Sequence, residues 1–390
     1  MTDVCIVGWA HSAFGRLQDP DVESLISRVV APAIAHAQVL PSAIDAVFIG
    51  QFNSGFCQQE FPSSLPIQSV PELRFKPSAR FENACASGSA AVYAGIDFIR
   101  SGRGRIALVV GAEKMTDTSG VQAGKNLLGA SYRREEGDTS AGFAGLFGKI
   151  AKQYFQVYGD QSDALAAIAS KNHRNGVDNP FAQIRKDLGF EFCRTESERN
   201  PLVAAPLKRT DCSPISDGAV ALVIANTAIA LSLPRAVHFR GIGHANDFLP
   251  MSARDMTRFE AGEHAWRAAF GMADLGLEDL SFVETHDCFT IAELIEYETM
   301  GLVPAGQGAR AILEGWTAAD GKLPVNRSGG LKSKGHPVGA TGVSMLAMAA
   351  MQLTGTAGDM QLPKASLGAV YNMGGSGVAN YVSILECLRA

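Results

Sequence analysis

Four short segments concentrate the residues able to do covalent chemistry. Cys85 lies in Asn83-Ala84-Cys85-Ala86-Ser87-Gly88-Ser89-Ala90, and His286 and Cys288 lie in Glu284-Thr285-His286-Asp287-Cys288-Phe289-Thr290. His336 sits in the glycine-rich run 329–342, and Asn372 and Gly374 open Asn372-Met373-Gly374-Gly375-Ser376-Gly377. Two thiols, two imidazoles and exposed backbone N–H groups are the parts of an acyl-transfer site that also moves a proton at carbon. Residues 90–99 are apolar or small on nearly every face, so Cys85 is expected to open an enclosed helix. A helix N-terminus carries unpaired N–H groups and the positive end of the dipole, so the thiol there is expected to ionise more easily than a free one. Singly, each residue also has a structural reading. Cysteine is among the most buried residue types, a histidine before proline suits a loop, Cys288 suits a packed strand end, and asparagine stabilises turns. The glycine-rich runs are not phosphate loops, because GGLKSKG lacks the GxxxxGK[ST] spacing and NMGGSG does not open a dinucleotide-binding unit.

The elements that must position these loops follow from hydrophobic pattern. Aliphatic runs at 3–8, 45–50, 105–111, 219–225, 236–242, 280–285, 366–371 and 378–385 read as strands between helical stretches. That alternation predicts α/β layers with mainly parallel strands covered on both faces. The second half repeats the first in order: DAVFIGQFNSGF against LSFVETHDCFT, ACASGSAAVYAG against GHPVGATGVSML, and RIALVVGAEKM against ASLGAVYNMGG. Cys85 and His336 thus occupy equivalent helix-start positions, which meet if the halves pack about a pseudo-twofold axis. Between the halves, residues 118–213 carry charge clusters (Arg133, Arg134, Glu135, Glu136; Arg185, Lys186; Lys208, Arg209) and two helical segments near 140–157 and 161–176. This stretch is expected to be an insert covering the first half, a lid for an extended anionic substrate. The expected division is an N-terminal half at 1–117 completed by 214–233, an insert at 118–213, and a C-terminal half at 234–390.

Bulk properties narrow the class. With 34 Lys and Arg against 39 Asp and Glu the net charge is −5, and no basic arm is present, which argues against a nucleic-acid binder. Seven cysteines without a CxxC pair argue against a disulfide scaffold or a zinc site and for reduced thiols. The N-terminal residues do not form a signal peptide. The longest apolar stretch, at 338–353, is too short to span a bilayer and is interrupted by Thr341 and Ser344. A cytoplasmic protein with no metal and no membrane contact is expected.

On these residues the chain resembles the thiolase superfamily over essentially its full length. ENACASGSA resembles the family's nucleophile loop, SGGLKSKGHPVGATG its GHP loop, and DCSPISDGAVALVIA (211–225) a segment closing the first half. NMGGSG takes the place of the C-terminal CxGxG-type loop. Ordinary thiolases carry NEAF where this chain has His286-Asp287-Cys288-Phe289, and a cysteine where it has Asn372. The chain is therefore similar to the sterol-carrier-protein-type and archaeal-type thiolases, in which the HDCF cysteine supplies the second acid/base.

The resemblance implies a five-layered αβαβα core with two pseudo-twofold-related halves, an inserted loop domain that binds CoA, and a homodimer or homotetramer. It implies CoA and acyl-CoA as substrates with no tightly bound cofactor. It also implies roles. Cys85, activated by His336, is the acyl-carrying nucleophile, and Cys288 moves the Cα proton. His286 and His336 polarise the enolate oxygen, and the N–H groups of Cys85 and Gly374 hold the oxyanion. Thiolase-fold condensing acyltransferases or retro-aldolases are the alternatives. Another is a subunit needing a small OB-fold or lipid-transfer partner.

Overall fold

The strands expected from the aliphatic runs all form, and they join in one sheet. The computed structural model describes residues 3–390, so the first two residues of the expected N-terminal half lie outside it. In chain order the strands are β1 (Val4–His11), β2 (Ala46–Gly50), β3 (Ser78–Phe81), β4 (Ile106–Glu113), β5 (Leu202–Ala204), β6 (Leu207–Lys208), β7 (Gly218–Asn226), β8 (Ala236–Asn246), β9 (Phe282–Glu284), β10 (Leu367–Gly374) and β11 (Ala379–Arg389). Nine of them lie in the order β3-β2-β4-β7-β1-β8-β11-β10-β9, while β5 and β6 form a separate ribbon. The order is nearly a mirror image about the β1–β8 junction. Where the counterpart of β3 would stand, Val325 makes a parallel bridge to Val283 of β9.

The strands are not mainly parallel. Only β2 with β3, β2 with β4, and β9 with β10 run parallel, and the other five pairings are antiparallel. A continuous aliphatic run reports burial on both faces, which helices on both sides impose whatever the strand direction. The direction comes from the connections: β10 turns straight back into β11, and the insert returns the chain so that β7 runs against β4.

Two helices fill the space inside this sheet, Ser87–Arg100 and Thr341–Leu353. All thirteen residues of the second are buried, and it touches β1, β4 and β7 from one half and β10 and β11 from the other. Outside the sheet, helix Val22–Ala37 packs a stripe of Val22, Leu25, Ile26, Val29, Val30 and Ala33 on β1, β4 and β7, the i, i+3, i+4 spacing of a one-sided helix. Its first turn is capped by Asp21, whose carboxylate accepts from the Ser24 N–H at 2.8 Å. Helix Glu260–Ala273 covers β8 and β11. The result is helix, strand, helix, strand, helix in layers.

The inner helices approach along glycines. A Cβ on Gly88 would lie 2.8 Å from the Gly339 carbonyl oxygen, and one on Gly339 would lie 2.6 Å from the carbonyl oxygens of Gly50 and Ala112. One on Gly111 would meet the Gly339 oxygen at 2.5 Å, and one on Gly342 would run into Ser89 and Asn372. Only hydrogen fits in this seam.

The insert sits differently from expectation. Its helices, Phe143–Tyr158 and Ser162–Gly176, form where the pattern placed them, but they dock mainly on the second half. Lys171 pairs with Glu293 at 2.5 Å, Asn172 donates to Asp287 at 2.7 Å, and Asn179 donates to the Ser328 carbonyl at 2.8 Å. It touches the first half at its start, where Ser54 donates to the Asn126 carbonyl, and again at Phe181, whose carbonyl accepts from the Phe14 N–H at 2.9 Å. Buried acids of the second half hold the insert's polar side chains, and a surface-charge reading of the sequence has no access to them.

Candidate active site

Cys85 lies on the turn that leads into helix Ser87–Arg100. Asn83 N–H donates to Ser87 Oγ at 2.9 Å, Ser87 Oγ donates to the Ala84 carbonyl at 2.6 Å, and Asn83 Nδ2 donates to Tyr381 Oη at 2.8 Å. Ala84 is held at φ +51°, a left-handed conformation that costs a non-glycine residue energy and sits here beside the thiol. The turn is pinned from behind by Gly374 at the end of β10, where a side chain would run into the Asn83 carbonyl.

The thiol is enclosed rather than activated in the resting state. Burial raises Cys85 to about 12, against the opposing pull of the Gly375 N–H, which donates to its sulfur. The easier ionisation expected from the helix start is therefore reversed, because the same enclosure that buries the helix removes the water that would solvate a thiolate. Two amides reach the sulfur, Cys85's own and that of Gly375, the neighbour of Gly374.

The second loop follows β9. Thr285 N–H donates to Asn326 Oδ1 at 2.8 Å, and Asp287 accepts from the N–H groups of Leu331 at 2.6 Å and Lys332 at 3.1 Å. Asp287 thereby ties this loop to the short helix Gly330–Lys334 that precedes His336. Gly330 is held at φ +57°, and a side chain there would strike the Asp287 carboxylate. Cys288 is buried, and its thiol is pushed up first by desolvation and then by the nearby Cys85 and Glu296.

His336 N–H donates to Ser216 Oγ at 3.0 Å, and its Nδ1 lies 2.7 Å from Thr341 Oγ1. His286 Nδ1 lies 2.9 Å from Asn372 Nδ2. Both Nε2 atoms are buried without a partner. Burial, then the Lys334 charge, lowers His336 to about 3. Burial, then His336 and Lys334, holds His286 well below the usual histidine range. Both rings are neutral at physiological pH, with centroids 5.1 Å apart at 83°. Cys85 Sγ and one nitrogen from each ring lie within 4.8 Å of one another, a spacing a metal ion could also use. The two counterpart segments therefore meet, although His336 stands five residues before its helix because a turn at Val338–Ala340 intervenes.

Cys85, Cys288 and His336 line a cavity of about 210 Å³ whose walls include Phe143, Ile215 and Phe289. Most of that wall comes from the insert. Beside it, sharing Ala141 and Val203, opens a second cavity of about 490 Å³ lined by Lys149 and Lys152. A larger groove of about 860 Å³ beside Trp266 and Phe270 contains none of the paired thiols or histidines.

Sequence reasoning missed several groups. Glu113 accepts from the N–H groups of Phe52, Asn53 and Gly339, each at 3.0 Å, and burial raises it to about 7. Thr341 was visible only as an interruption of an apolar run, and Asn372 only as a missing cysteine. Lys149 and Lys152 had one available signal, their i, i+3 spacing on the expected helix. Among the described residues no helix is long and apolar enough to cross a membrane.

Comparison with known proteins yields a consistent set. The family model "Thiolase, N-terminal domain" matches residues 4–228 and "Thiolase C-terminal domain-like" matches residues 243–387. An "Acetyl-CoA acetyltransferase" of Methanothermobacter thermautotrophicus is 37% identical over 389 residues, covering 99% of this chain and 100% of that protein. "Sterol carrier protein 2" of Homo sapiens is 30% identical over 95% of this chain and 70% of its own length. A solved structure described as "Ltp2-ChsH2(DUF35) aldolase" superposes with a TM-score of 0.85 at 20% identity, covering 100% of this chain and 99% of its own. At that identity the last likeness speaks to the fold alone.

Proposed function

This chain belongs to the thiolase family and is an acyltransferase of CoA thioesters, and from that premise we propose that it works through an acyl-Cys85 intermediate, cleaving 3-oxoacyl-CoA or running the reverse Claisen condensation. One observation carries the reading. Cys85 Sγ and the ring nitrogens of His286 and His336 converge within 4.8 Å beside a cavity that Cys288 also lines.

In cleavage, Cys85 Sγ attacks the 3-oxo carbon while its proton passes to His336. The oxyanion is held by the N–H groups of Cys85 and of the Gly374–Gly375 turn. Collapse breaks the C2–C3 bond, and its electron pair becomes the enolate of acetyl-CoA. The enolate oxygen lies against His286 and His336, and its carbon takes the proton of Cys288. CoA then enters as the thiol, returns a proton to Cys288 and attacks the acyl carbon. Cys85 leaves with the proton held by His336, and every group is restored. The resting pair of neutral thiol and neutral imidazole supports transfer in concert with attack rather than a preformed thiolate.

Lys149 and Lys152, in the cavity beside the thiols, are placed to meet the phosphates of CoA, with the insert 118–213 as the loop domain that holds it. A homodimer or homotetramer acting in the cytoplasm fits this reading. A small OB-fold partner is the alternative assembly, since the solved aldolase is described with a DUF35 component. Turnover of acetoacetyl-CoA and longer 3-oxoacyl-CoA by wild type and Cys85→Ala is the test. A loss of at least about 10⁴-fold is expected in the variant. Undiminished turnover, or cleavage without an acyl adduct on Cys85, overturns the mechanism and favours an aldol-type route.

A further inference from the structure

We infer that Asn372 and Thr341 lock the two site histidines in opposite tautomers, His286 with its proton on Nε2 and His336 with its proton on Nδ1. The catalytic meaning rests on the thiolase reading above, but the tautomers themselves do not.

The Asn372 amide can lie only one way round. Its nitrogen sits 3.3 Å from the Cys85 carbonyl oxygen, a group that can only accept, so that atom must be the NH₂. Its oxygen receives the Ser89 hydroxyl proton at 2.7 Å. The second amide proton then points at His286 Nδ1, 2.9 Å away, which must accept. A neutral imidazole that accepts at Nδ1 carries its proton on Nε2. The Nε2 atom has no protein partner and is free to donate to a reacting oxygen.

Thr341 imposes the reverse. Its hydroxyl donates to the Pro337 carbonyl at 2.9 Å, and that proton is its only one. Toward His336 Nδ1, 2.7 Å away, the Thr341 oxygen can only accept. Nδ1 therefore carries the proton, and the Nε2 lone pair, also without a partner, is open.

The two rings look interchangeable by type and distance, yet they cannot exchange tasks. His336 can take the Cys85 proton, because the imidazolium so formed still donates from Nδ1 to Thr341. His286 cannot, because a proton on Nδ1 would face the Asn372 NH₂. It remains a neutral donor throughout the cycle. A proton on its Nε2 also blocks that nitrogen as a metal ligand. Asn372 and Thr341 are positioning residues, and Ser89 fixes the orientation of the first.

The test reads the tautomers directly. Nitrogen NMR of the full chain labelled at histidine separates protonated from unprotonated ring nitrogens, with Asn372→Ala and Thr341→Val used to assign the signals. The expected wild-type pattern is an Nε2–H ring and an Nδ1–H ring. Asn372→Asp, whose carboxylate can only accept, is expected to move the His286 proton to Nδ1. In kinetics, Asn372→Asp and Asn372→Ala are expected to slow the carbon–carbon bond step about 10²–10³-fold, the cost of one lost oxyanion donor. The single-turnover acylation of Cys85 by acetyl-CoA, in which no carbon–carbon bond changes, is expected to stay within about fivefold, a split that general unfolding would not produce. Thr341→Val is expected to slow the acylation at least about tenfold, with recovery in Thr341→Ser, which retains the hydroxyl. Two rings of the same tautomer in the wild type, or a His286 pattern unmoved in Asn372→Asp, overturns the inference. Opposite tautomers in a protein that does not cleave 3-oxoacyl-CoA would sink the thiolase chemistry and leave this inference standing.

Discussion

The loop after β2 and the loop after β9 are counterparts. Val47 pairs with Leu108 in one half as Phe282 pairs with Gly368 in the other, which sets Gln51, Phe52 and Asn53 opposite His286, Asp287 and Cys288. At these three positions the first loop carries neither thiol nor imidazole. Glu113 grips its N–H groups, and Arg80 donates to the carbonyls of Gln51 and Phe52 at 3.1 and 2.7 Å. The second loop carries an imidazole and a thiol, and its own carboxylate, Asp287, reaches out to grip the segment before His336. At another pair of counterparts, Cys85 and His336, both copies face the cavity. A repeated fold thus makes one centre from two copies: one loop of the first pair braces, the other brings a thiol and an imidazole, and the second pair supplies sulfur and imidazole.

Removing a reacting group should break the comparison most sharply. Cys288→Ala should slow the carbon–carbon bond step about 10²–10⁴-fold while acetyl-CoA still acylates Cys85, as seen by intact-protein mass spectrometry. Equal loss of both steps would mean that the second loop is not the proton carrier. Asp287→Asn and Glu113→Gln compare the two grips. Each places an amide NH₂ where backbone N–H groups donate, costing about 1–3 kcal/mol in urea unfolding. Turnover should fall further in Asp287→Asn, because its loop holds His286 and Cys288. A larger activity loss in Glu113→Gln would erase the distinction between brace and reactor. The mildest probe is alkylation of Cys85 by iodoacetamide, followed on its peptide by mass spectrometry. Because burial holds the thiol at about 12, its thiolate fraction and its rate should rise about tenfold per pH unit from pH 7 to pH 9. A rate flat across that window would signal a preformed thiolate–imidazolium pair.

How much was legible depended on whether the cause was local. Eight runs became strands, most of them because burial on both faces leaves an unbroken apolar signature, whereas β8 alternates buried and exposed residues around Arg240. β3 was missed because Ser78 and Arg80 break that signature on a half-exposed edge strand. Strand direction was not legible, since nothing in a run of Val and Ile states where the chain came from. The meeting of Cys85 and His336 was legible through the repeat. The state of the thiol was not, because desolvation depends on what folds over it. Asn372 lies 86 residues from His286 along the chain, so its hydrogen bond leaves no trace in either segment alone. Ser344 shows the same limit: like Thr341 it interrupts an apolar helix, and its hydroxyl meets His11 Nε2 at 2.7 Å.

The glycine seam between the inner helices bears on what can change in descent. A single methyl at Gly88, Gly111 or Gly339 would push backbone against backbone, so the sulfur and the imidazoles are held in a frame that tolerates almost no variation. The cavity wall is different: Phe143, Ala144 and Val203 come from the insert and can trade size without touching that frame. New acyl groups would therefore be acquired by varying the insert, and a library aimed at a changed diet should be written there and nowhere on the seam.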